Sequence, residues 1–334
     1  MSRSYLFILC DNGFGHSRRG AAVAAALRAL EPDAEIVILG DPAHVAKFGA
    51  VSRPFRTHTS ADALRAGIPD ATEWFTRLPD ISRFDVVVSD NLPEVLAIRQ
   101  DALLMGSFLW NLILRDTPVE WRKRAERLLH THRPPLLANG PFVPPEVRAC
   151  TKVIDVGFVV GEPPIPPVVA ATGRDALLLS CGASGVAEDL LRDFVLRLSV
   201  GDRPNVRTVY VEPSLLPHDA PGWMQPADFS TQMYASLMAA VIRPGMGTIS
   251  DTLRHGAPVF CFYESNNKEM AGNARVIEAL GVGNNLGTVS EAFATACKVI
   301  RDSGSWTRLA CNIGRLDFTG ARRSAHFLAS YGRR

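Results

Sequence analysis

Short apolar runs alternate repeatedly with longer amphipathic segments along this chain. In the first half of the chain the apolar runs are Tyr5–Cys10, Glu35–Leu39, Asp85–Ser89, Leu103–Ser107 and Pro135–Ala138. Helical periodicity between them is clearest over Ser17–Leu30 and Trp121–His132. Alternation of this kind predicts an α/β protein, with a parallel sheet covered by helices on both faces.

A proline-rich segment interrupts the alternation near the middle of the chain. Gly161–Pro167 carries four prolines in its last five positions, which excludes helix or central strand there. The alternation restarts afterwards. We therefore predict a first Rossmann-like domain over residues 1–158, a linker over 159–172, a second Rossmann-like domain over 173–315, and a closing helix over 316–334 that could pack back on the first domain. Ligands are expected in the cleft between the domains, at the carboxyl ends of the strands.

Composition narrows the functional classes. The 36 basic and 34 acidic residues leave a net charge of +2, so nucleic-acid binding through bulk charge is not expected. No apolar run approaches the ~20 residues of a spanning helix, and Asp11-Asn12-Gly13 ends the first run too early for a signal peptide. The six cysteines are scattered without a Cys-x-x-Cys pair. These patterns, with 31 arginines against five lysines, predict a reduced, cytoplasmic, bacterial protein.

The first glycine-rich loop connects a predicted buried strand to a helix. Gly13 and Gly15 permit close backbone approach, and the helix start favours a negative ligand or a developing oxyanion. His16 lies at this junction and belongs to the residue type best suited to acid–base chemistry near neutral pH. A helix N-cap or a surface histidine is the structural alternative.

The same loop departs from known nucleotide fingerprints. The dinucleotide pattern Gly-x-Gly-x-x-Gly has Arg18 at its third glycine position, and glycine returns only at Gly20. No Gly-Lys-Ser/Thr follows, so a Walker loop is absent. An NAD-type site is therefore disfavoured.

A second loop of the same kind lies in the second predicted domain. Within Arg243–Asp251, Gly245, Gly247 and Thr248 can present backbone N–H groups and a hydroxyl to a diphosphate. Asp251 could accept hydrogen bonds from ribose hydroxyls. An ordinary capping box, with Thr248 as N-cap and Asp251 as its acid, is the alternative.

Two further polar segments follow predicted strands. Glu264–Glu269 and Asn273 could form a hydrogen-bonding rim for a sugar, or a solvated loop. Ser180–Gly185 is a strand–turn–helix connection in which Gly182 and Ser184 could close over the same phosphates, although this turn chemistry is common.

The donor-side residues resemble a known family. Arg243-Pro-Gly-Met-Gly-Thr-x-x-Asp-x-Leu-x-x-Gly-x-Pro258, followed by Glu269-x-x-x-Asn273-Ala274 and Gly281-x-Gly283, is similar to the donor-binding signature of GT-B nucleotide-sugar glycosyltransferases. These include the UDP-glycosyltransferases and the bacterial peptidoglycan N-acetylglucosaminyl transferase. Gly13-x-Gly-His16 resembles the acceptor-side histidine of that superfamily, and Asp85–Asp90 the strand whose last aspartate pairs with it.

The resemblance implies two Rossmann-like domains, an acceptor domain followed by a donor domain. It makes His16 the base that deprotonates an acceptor hydroxyl and Asp90 the residue that orients it. It implies a UDP- or dTDP-sugar as co-substrate, a small-molecule acceptor and neither cofactor nor metal, since helix N–H groups and arginines can take the leaving-group charge. Trp223 and Phe229 fall where the family holds the base. The donor-binding residues it implies are Gly15, Gly182, Ser184, Arg243, Gly245, Met246, Gly247, Thr248, Asp251, Glu269 and Asn273.

Some positions depart from the family pattern. Arg243–Gly245 replaces the usual His-Gly-Gly or His-Cys-Gly, Asp251 replaces a glutamate, and Glu269 is followed by Met270 rather than glutamine. The pattern Gly-x-Gly-His-x-x-Arg, which ends at Arg19, also resembles related nucleotide-sugar hydrolases. The leading hypothesis is an inverting glycosyltransferase. A hydrolase with water as acceptor and a non-catalytic nucleotide-sugar-binding protein are the alternatives.

Overall fold

The computed structural model describes residues 2–10, 14–50, 52–54, 74–113, 119–161, 173–182, 187–201 and 203–332. The chain divides into two compact units: unit 1 comprises Met1–Pro164 and Asp317–Arg334, and unit 2 comprises Ile165–Leu316. Most of the predicted linker (162–172), part of the first loop (11–13) and Ser184 lie outside the described residues.

Unit 1 contains a seven-stranded sheet in the order β3-β2-β1-β4-β5-β6-β7, with every pair parallel. Its strands are β1 (Ser4–Leu9), β2 (Glu35–Gly40), β3 (Ser52–Pro54), β4 (Val86–Asp90), β5 (Leu103–Met105), β6 (Pro135–Ala138) and β7 (Lys152–Asp155). The central strands are apolar because both faces are covered, and Tyr5–Leu9 is fully buried. The order reverses between β1 and β4, which is where doubly wound sheets bind ligands.

Helices cover both faces of this sheet. They are α1 (Phe14–Leu30), α2 (Pro42–Ala46), α3 (Trp110–Ile113), α4 (Val119–His132), α5 (Pro145–Cys150) and, at the end of the chain, α12 (Gly320–Ser330), with 3₁₀ turns at Trp74–Arg77, Pro93–Ala97 and Gly140–Phe142. The alanine-rich face of α1 and the buried face of α12 share one apolar cluster with β1. Arg3 donates to the carbonyls of Ala329 (2.7 Å) and Tyr331 (2.6 Å), so the C-terminal helix belongs to unit 1.

Unit 2 contains a six-stranded parallel sheet in the order β10-β9-β8-β11-β12-β13. Its strands are β8 (Ala176–Ser180), β9 (Thr208–Val211), β10 (Met224–Pro226), β11 (Leu237–Ile242), β12 (Val259–Phe262) and β13 (Gly283–Gly287). Its helices are α6 (Glu188–Ser199), α7 (Thr231–Ser236), α8 (Met246–Arg254), α9 (Lys268–Ala279), α10 (Val289–Arg301) and α11 (Ser303–Ile313), with a 3₁₀ turn at Pro213–Leu215. The order again reverses at one point, between β8 and β11.

The predicted α/β class with two parallel sheets is confirmed, and the differences lie at element ends. Helix α1 begins at Phe14 rather than Ser17, so His16 lies inside its first turn. Helix α8 begins at Met246 rather than Thr248. The predicted helix over Thr231–Met238 ends at Ser236, because the next two residues open strand β11.

Candidate active site

The first cluster of functional side chains lies at the carboxyl edge of the unit 1 sheet. β1 and β4 are neighbours, with Leu9 opposite Asp90. Asp90 is the last residue of β4, and His16 lies on the first turn of the helix that follows β1. Both residues therefore lie at the carboxyl edge of the sheet. The order of the sheet brings together two residues that are 74 positions apart in sequence.

His16 and Asp90 form a close pair. His16 Nδ1 lies 2.7 Å from Asp90 Oδ1; the Asp90 side chain is fully buried, and the His16 side chain is 13% exposed. An ionised carboxylate only accepts hydrogen bonds, so Nδ1 carries the proton and donates it. In the neutral imidazole Nε2 then carries the lone pair, which is the tautomer a general base requires. The predicted pair is thus within hydrogen-bonding distance.

Arg19 completes the cluster and was not assigned a role by the sequence analysis. Its Nε donates to Asp90 Oδ2 at 2.9 Å and its Nη2 donates to Oδ1 at 2.7 Å, which is a bidentate pair. Nη2 also lies 3.3 Å from His16 Nδ1. The signal was present in the sequence, because residues three apart on a helix share a face.

Burial alone would raise the pKa of the Asp90 carboxyl. The opposite charges of Arg19 and His16, with the hydrogen bonds they donate, outweigh this effect and hold the pKa below its ordinary value of 3.8. Asp90 is therefore ionised at neutral pH, and Arg19 compensates its buried charge.

Two glycines make room for α1: one for its Arg19 side chain and one for its packing on β1. Gly106 follows β5 with a φ of +123°, and a Cβ there would lie 3.2 Å from Arg19 Nη2. Gly20 faces β1, where a Cβ would lie 2.6 Å from Leu9 Cδ2, so this glycine allows α1 to pack closely on the strand. Gly20 thus serves the helix–strand contact that the third glycine serves in dinucleotide folds.

The second cluster lies at the carboxyl edge of the unit 2 sheet, where α8 begins. Gly245 is the N-cap of α8 and provides no side-chain cap; Met246, Gly247 and Thr248 form the first turn. Thr248 is therefore not the N-cap, and the capping-box alternative is wrong. A Cβ at Gly245 would meet nothing within 4 Å, so the backbone is open to a ligand on that side. This helix start carries the partial positive charge that suits a phosphate.

The turn before α8 is held by two side chains from other elements. Arg243 Nε donates to both carboxylate oxygens of Glu264, at 3.0 and 3.1 Å, and both side chains are largely buried. Asn273, which is 4% exposed, donates from Nδ2 to the carbonyl of Pro244 at 2.9 Å. Through this hydrogen bond Asn273 holds the turn before α8 in place. The sequence analysis included Glu264 only as the first residue of the predicted polar rim and did not predict its pairing with Arg243.

The turn after β8 lies beside the turn after β11. The backbone N–H of Arg243 donates to the carbonyl of Ser180 at 3.0 Å, and Gly182 follows with a φ of +76°. Glu212, a buried residue that was also missed, accepts from the Ser180 hydroxyl at 2.9 Å and from the N–H of Cys181 at 3.0 Å. Glu212 therefore fixes the turn that presents Gly182.

The remaining predicted residues occupy varied environments. Asp251 lies partly exposed on α8, and Glu269 lies partly exposed in the first turn of α9. Gly15 is exposed in the first turn of α1, where a Cβ would meet nothing within 4 Å. Trp223 packs against the unit 2 core, whereas Phe229 is 41% exposed. Contacts of these residues with a donor remain predictions.

Within the described residues, no group of three or more His, Cys, Asp or Glu side chains is arranged to hold a metal ion. In the same part of the chain, no helix has both the length and the apolar character needed to cross a membrane.

Comparison with known proteins bears on the fold. No family model matches the chain, and no curated protein matches it. Solved structures do match over almost their whole length. The glycosyltransferase SnogD from Streptomyces nogalater has a TM-score of 0.61 and 16% identity, over 98% of this chain and 99% of that one. The fold is GT-B.

Two other similar structures hold nucleoside diphosphates. The spinosyn rhamnosyltransferase SpnG complexed with thymidine diphosphate has a TM-score of 0.62 and 16% identity, over 96% of this chain and 98% of that one. LpCGTa in complex with UDP has a TM-score of 0.66 and 13% identity, over 98% and 99%. At these identities the likeness establishes the fold alone. The chemistry of this chain has to be inferred from the residues of its candidate site.

Proposed function

We propose that the protein is an inverting glycosyltransferase that moves a sugar from a UDP- or dTDP-linked donor to the hydroxyl, or amine, of a small-molecule acceptor. The observation that carries this proposal is the His16–Asp90 pair, at 2.7 Å, at the strand-order reversal of the unit 1 sheet. Its geometry is that of a base held in one tautomer by a buried carboxylate. The GT-B fold and the nucleoside diphosphates in SpnG and LpCGTa support the choice of reaction.

In this proposal unit 1 supplies the base and unit 2 binds the leaving group. The lone pair on His16 Nε2 takes the acceptor proton while the acceptor oxygen attacks the anomeric carbon. The bond from that carbon to the diphosphate breaks, and the diphosphate leaves with the electron pair. The first turn of α8, from Met246 to Thr248, and Arg243 stabilise the leaving charge without a metal, and Asp251 holds the ribose. The proposed setting is a bacterial cytoplasm.

Hydrolysis of a nucleotide sugar is the second candidate, because one observation favours it. Arg19 is bound to Asp90, and a histidine followed three positions later by arginine is the pattern that also resembles nucleotide-sugar hydrolases. A base that activates an alcohol can also activate water, so only the product separates the two reactions.

Ligand binding and product analysis test the proposal. UDP and dTDP should raise the melting temperature, whereas NAD should not. At a ligand concentration 100 times Kd, either nucleotide should add about 2.7 kcal/mol to the free energy of unfolding. Incubation with UDP- and dTDP-sugars and an acceptor mixture should then give a new glycoside, detected by mass spectrometry. Free sugar alone would identify a hydrolase. Stabilisation by NAD but by neither nucleotide would refute the proposal, and binding without turnover would indicate a non-catalytic protein.

A further inference from the structure

A groove at the amino edge of the unit 2 sheet lies outside both clusters of the candidate site. Its volume is about 700 Å³, and every described residue that lines it belongs to unit 2. The lining comes from the two residues before β8, the connection from α6 to β9, the start of β11 and the last turn of α10. Sites for small molecules have volumes of roughly 300–1,000 Å³, so this groove has room for one.

The groove lies at the opposite end of the sheet from the turn before α8. Arg174 and Asp175 directly precede β8, and Met238 is the second residue of β11. Gly182 and Arg243 follow the carboxyl ends of the same two strands. A strand rises about 3.3 Å per residue, so the length of β8 places about 16 Å between the two ends. A ligand in the groove therefore leaves the proposed donor site open.

Positive charge is concentrated along this groove. Among its described lining residues only Asp175 is acidic, while four are arginines: Arg174, Arg203, Arg207 and Arg301. The whole chain, by comparison, has a net charge of only +2. Asp175 Oδ2 lies 3.8 Å from Arg207 Nη1, and the Arg207 side chain is 80% exposed, so water screens this pair. The groove therefore retains an excess of positive charge that suits a multiply charged anion.

Backbone carbonyls hold two of the arginines in position. Arg203 donates from Nε to the carbonyl of Val206 at 3.1 Å and from Nη2 to the carbonyl of Arg207 at 2.9 Å. Arg174, which is buried, donates from Nη1 to the carbonyl of Leu237 at 2.8 Å. Carbonyl groups carry no net charge, so these contacts orient the guanidinium groups without neutralising them. Guanidinium groups held in this way lose less conformational entropy when they bind an anion.

The acidic residue that follows Arg301 in sequence is engaged elsewhere. Asp302 caps α11, where its carboxylate accepts from the N–H of Gly304 at 3.1 Å and from the hydroxyl of Ser305 at 2.6 Å. Within the part of the chain that the structure describes, no carboxylate forms an ion pair with Arg203 or Arg301. The charges of both arginines are therefore open to a ligand.

The rest of the lining is mainly apolar and contains no aromatic ring among the described residues. Val206 is buried, and Pro204, Met238 and Ile300 are half-buried. Aliphatic side chains cover a hydrocarbon chain well, but they offer no aromatic face on which a nucleobase could stack. Guanidinium groups match phosphate oxygens in a bidentate geometry, and several of them around one groove suit a diphosphate.

We propose that this groove is a second ligand site and that it binds a small aliphatic molecule with a terminal diphosphate, the chemistry of a prenyl diphosphate. The arginines contact the diphosphate, and the apolar residues cover the hydrocarbon chain. This site goes beyond the proposed function and is independent of it, because it uses no residue of the two clusters.

Calorimetry on the full-length chain tests the ligand class. Geranyl diphosphate should bind saturably, one molecule per chain, and at least about 10-fold more tightly than inorganic pyrophosphate or geraniol, because only it offers both the diphosphate and the hydrocarbon chain. Saturating UDP should not displace it. Absence of saturable binding, equal affinity for geraniol or pyrophosphate, or displacement by UDP would overturn the proposal.

Charge variants locate the site. Arg207→Gln/Arg301→Gln removes two charges from exposed positions in the groove and should raise the Kd for geranyl diphosphate at least about 10-fold. The matched control, Arg275→Gln/Arg315→Gln, removes two charges from exposed positions of unit 2 outside the groove. Because water screens distant charges, the control should leave Kd within about twofold. An equal loss of affinity in the two double variants would show attraction by bulk charge only and would overturn the proposal.

Substitutions at Asn205, an exposed lining residue, test the sign of the effect without removing an arginine. Asn205→Glu should weaken geranyl diphosphate binding by about 2- to 5-fold, and Asn205→Lys should strengthen it by a similar factor, because each adds one charge to the groove. Thermal melts should show that both variants fold like the unmodified chain, which separates the charge effect from unfolding. A change of the same sign in both variants, or a change in neither, would overturn the proposal.

Discussion

Arg243 stands where the glycosyltransferase signature that this chain resembles usually has a histidine. Within the part of the chain that the structure describes, both side-chain hydrogen bonds of Arg243 use Nε, at 3.0 and 3.1 Å from the Glu264 oxygens. This anchoring fixes the guanidinium next to the start of α8, and we expect its Nη donors to contact a bound phosphate. Arg243→Ala should therefore weaken nucleoside diphosphate binding and leave the chain folded.

The expected loss of affinity follows from the charges on the arginine and on the phosphate. Loss of a hydrogen bond between charged groups costs about 1.5–3 kcal/mol, or roughly 10- to 150-fold in Kd. Arg243→Ala also leaves the Glu264 carboxylate without its cation, and that charge repels a diphosphate. The double variant Arg243→Ala/Glu264→Gln should therefore bind a nucleoside diphosphate more tightly than Arg243→Ala alone.

Calorimetry with three ligands isolates the phosphate contact. In Arg243→Ala the loss of affinity should be largest for UDP or dTDP, smaller for the monophosphate and smallest for the free nucleoside. Arg275→Ala, on the exposed face of α9, is the control and should change none of the three affinities. An equal penalty for the nucleoside would refute the reasoning, because it would show a general disturbance of unit 2. No penalty for the diphosphate would show that Glu264 fully engages the guanidinium.

Four further predictions concern the two clusters. His16→Ala should reduce kcat by about 10²–10⁴-fold with an unchanged nucleotide Kd, and Asp90→Asn should cost less; full activity in His16→Ala would point to another base. Asp251→Ala should raise donor Kd by roughly 10- to 150-fold with a smaller effect on kcat; an unchanged Kd would remove Asp251 from the ribose site. Gly106→Ala should cost about 1–3 kcal/mol in chemical denaturation, since φ is +123°, and should lower kcat by displacing Arg19. Because the pKa of Asp90 is lower in the folded chain than in the unfolded one, its contribution to stability is full above about pH 4 and is lost as pH falls through the folded pKa; Asp90→Asn should flatten that part of the stability profile.

The fold was predictable from the sequence because its central strands are buried on both faces. Such strands must be continuously apolar, and the runs at β1, β4, β8 and β11 meet that condition. The edge strands do not. β10 contains Pro226, which only an edge strand tolerates, and β13 is Gly-Asn-Asn-Leu-Gly. β13 can lie beside β12 because Gly283 has no side chain: a Cβ there would clash with the carbonyl of Val259, a tertiary contact that no local pattern reveals.

The candidate site was predictable to a different extent in the two units. In unit 2 the glycine turn and the helix start are contiguous in sequence, so the phosphate-binding segment could be identified directly. Glu264 supports this segment and Glu212 supports the neighbouring turn after β8. Both follow other strands and become neighbours of these turns only through the order of the sheet. In unit 1 the same order joins His16 to Asp90, a pairing that only the family resemblance implied. Arg19 entered the sequence analysis only as the last residue of a motif, because its partner Asp90 lies on another strand and becomes its neighbour through the order of the sheet.

Both units contain the same electrostatic arrangement, an arginine paired with a largely buried carboxylate. Each places an arginine beside the strand-order reversal of its sheet and ties it to a carboxylate at the end of a neighbouring strand: Arg19 to Asp90 in unit 1 and Arg243 to Glu264 in unit 2. A largely buried carboxylate without a cation would be costly, and an unanchored arginine would lose side-chain entropy on binding. Pairing removes both costs before a ligand arrives. Under the proposed function the two pairs have different consequences: in unit 1 the paired carboxylate holds His16 in one tautomer, whereas in unit 2 the paired arginine is held in position for a leaving group.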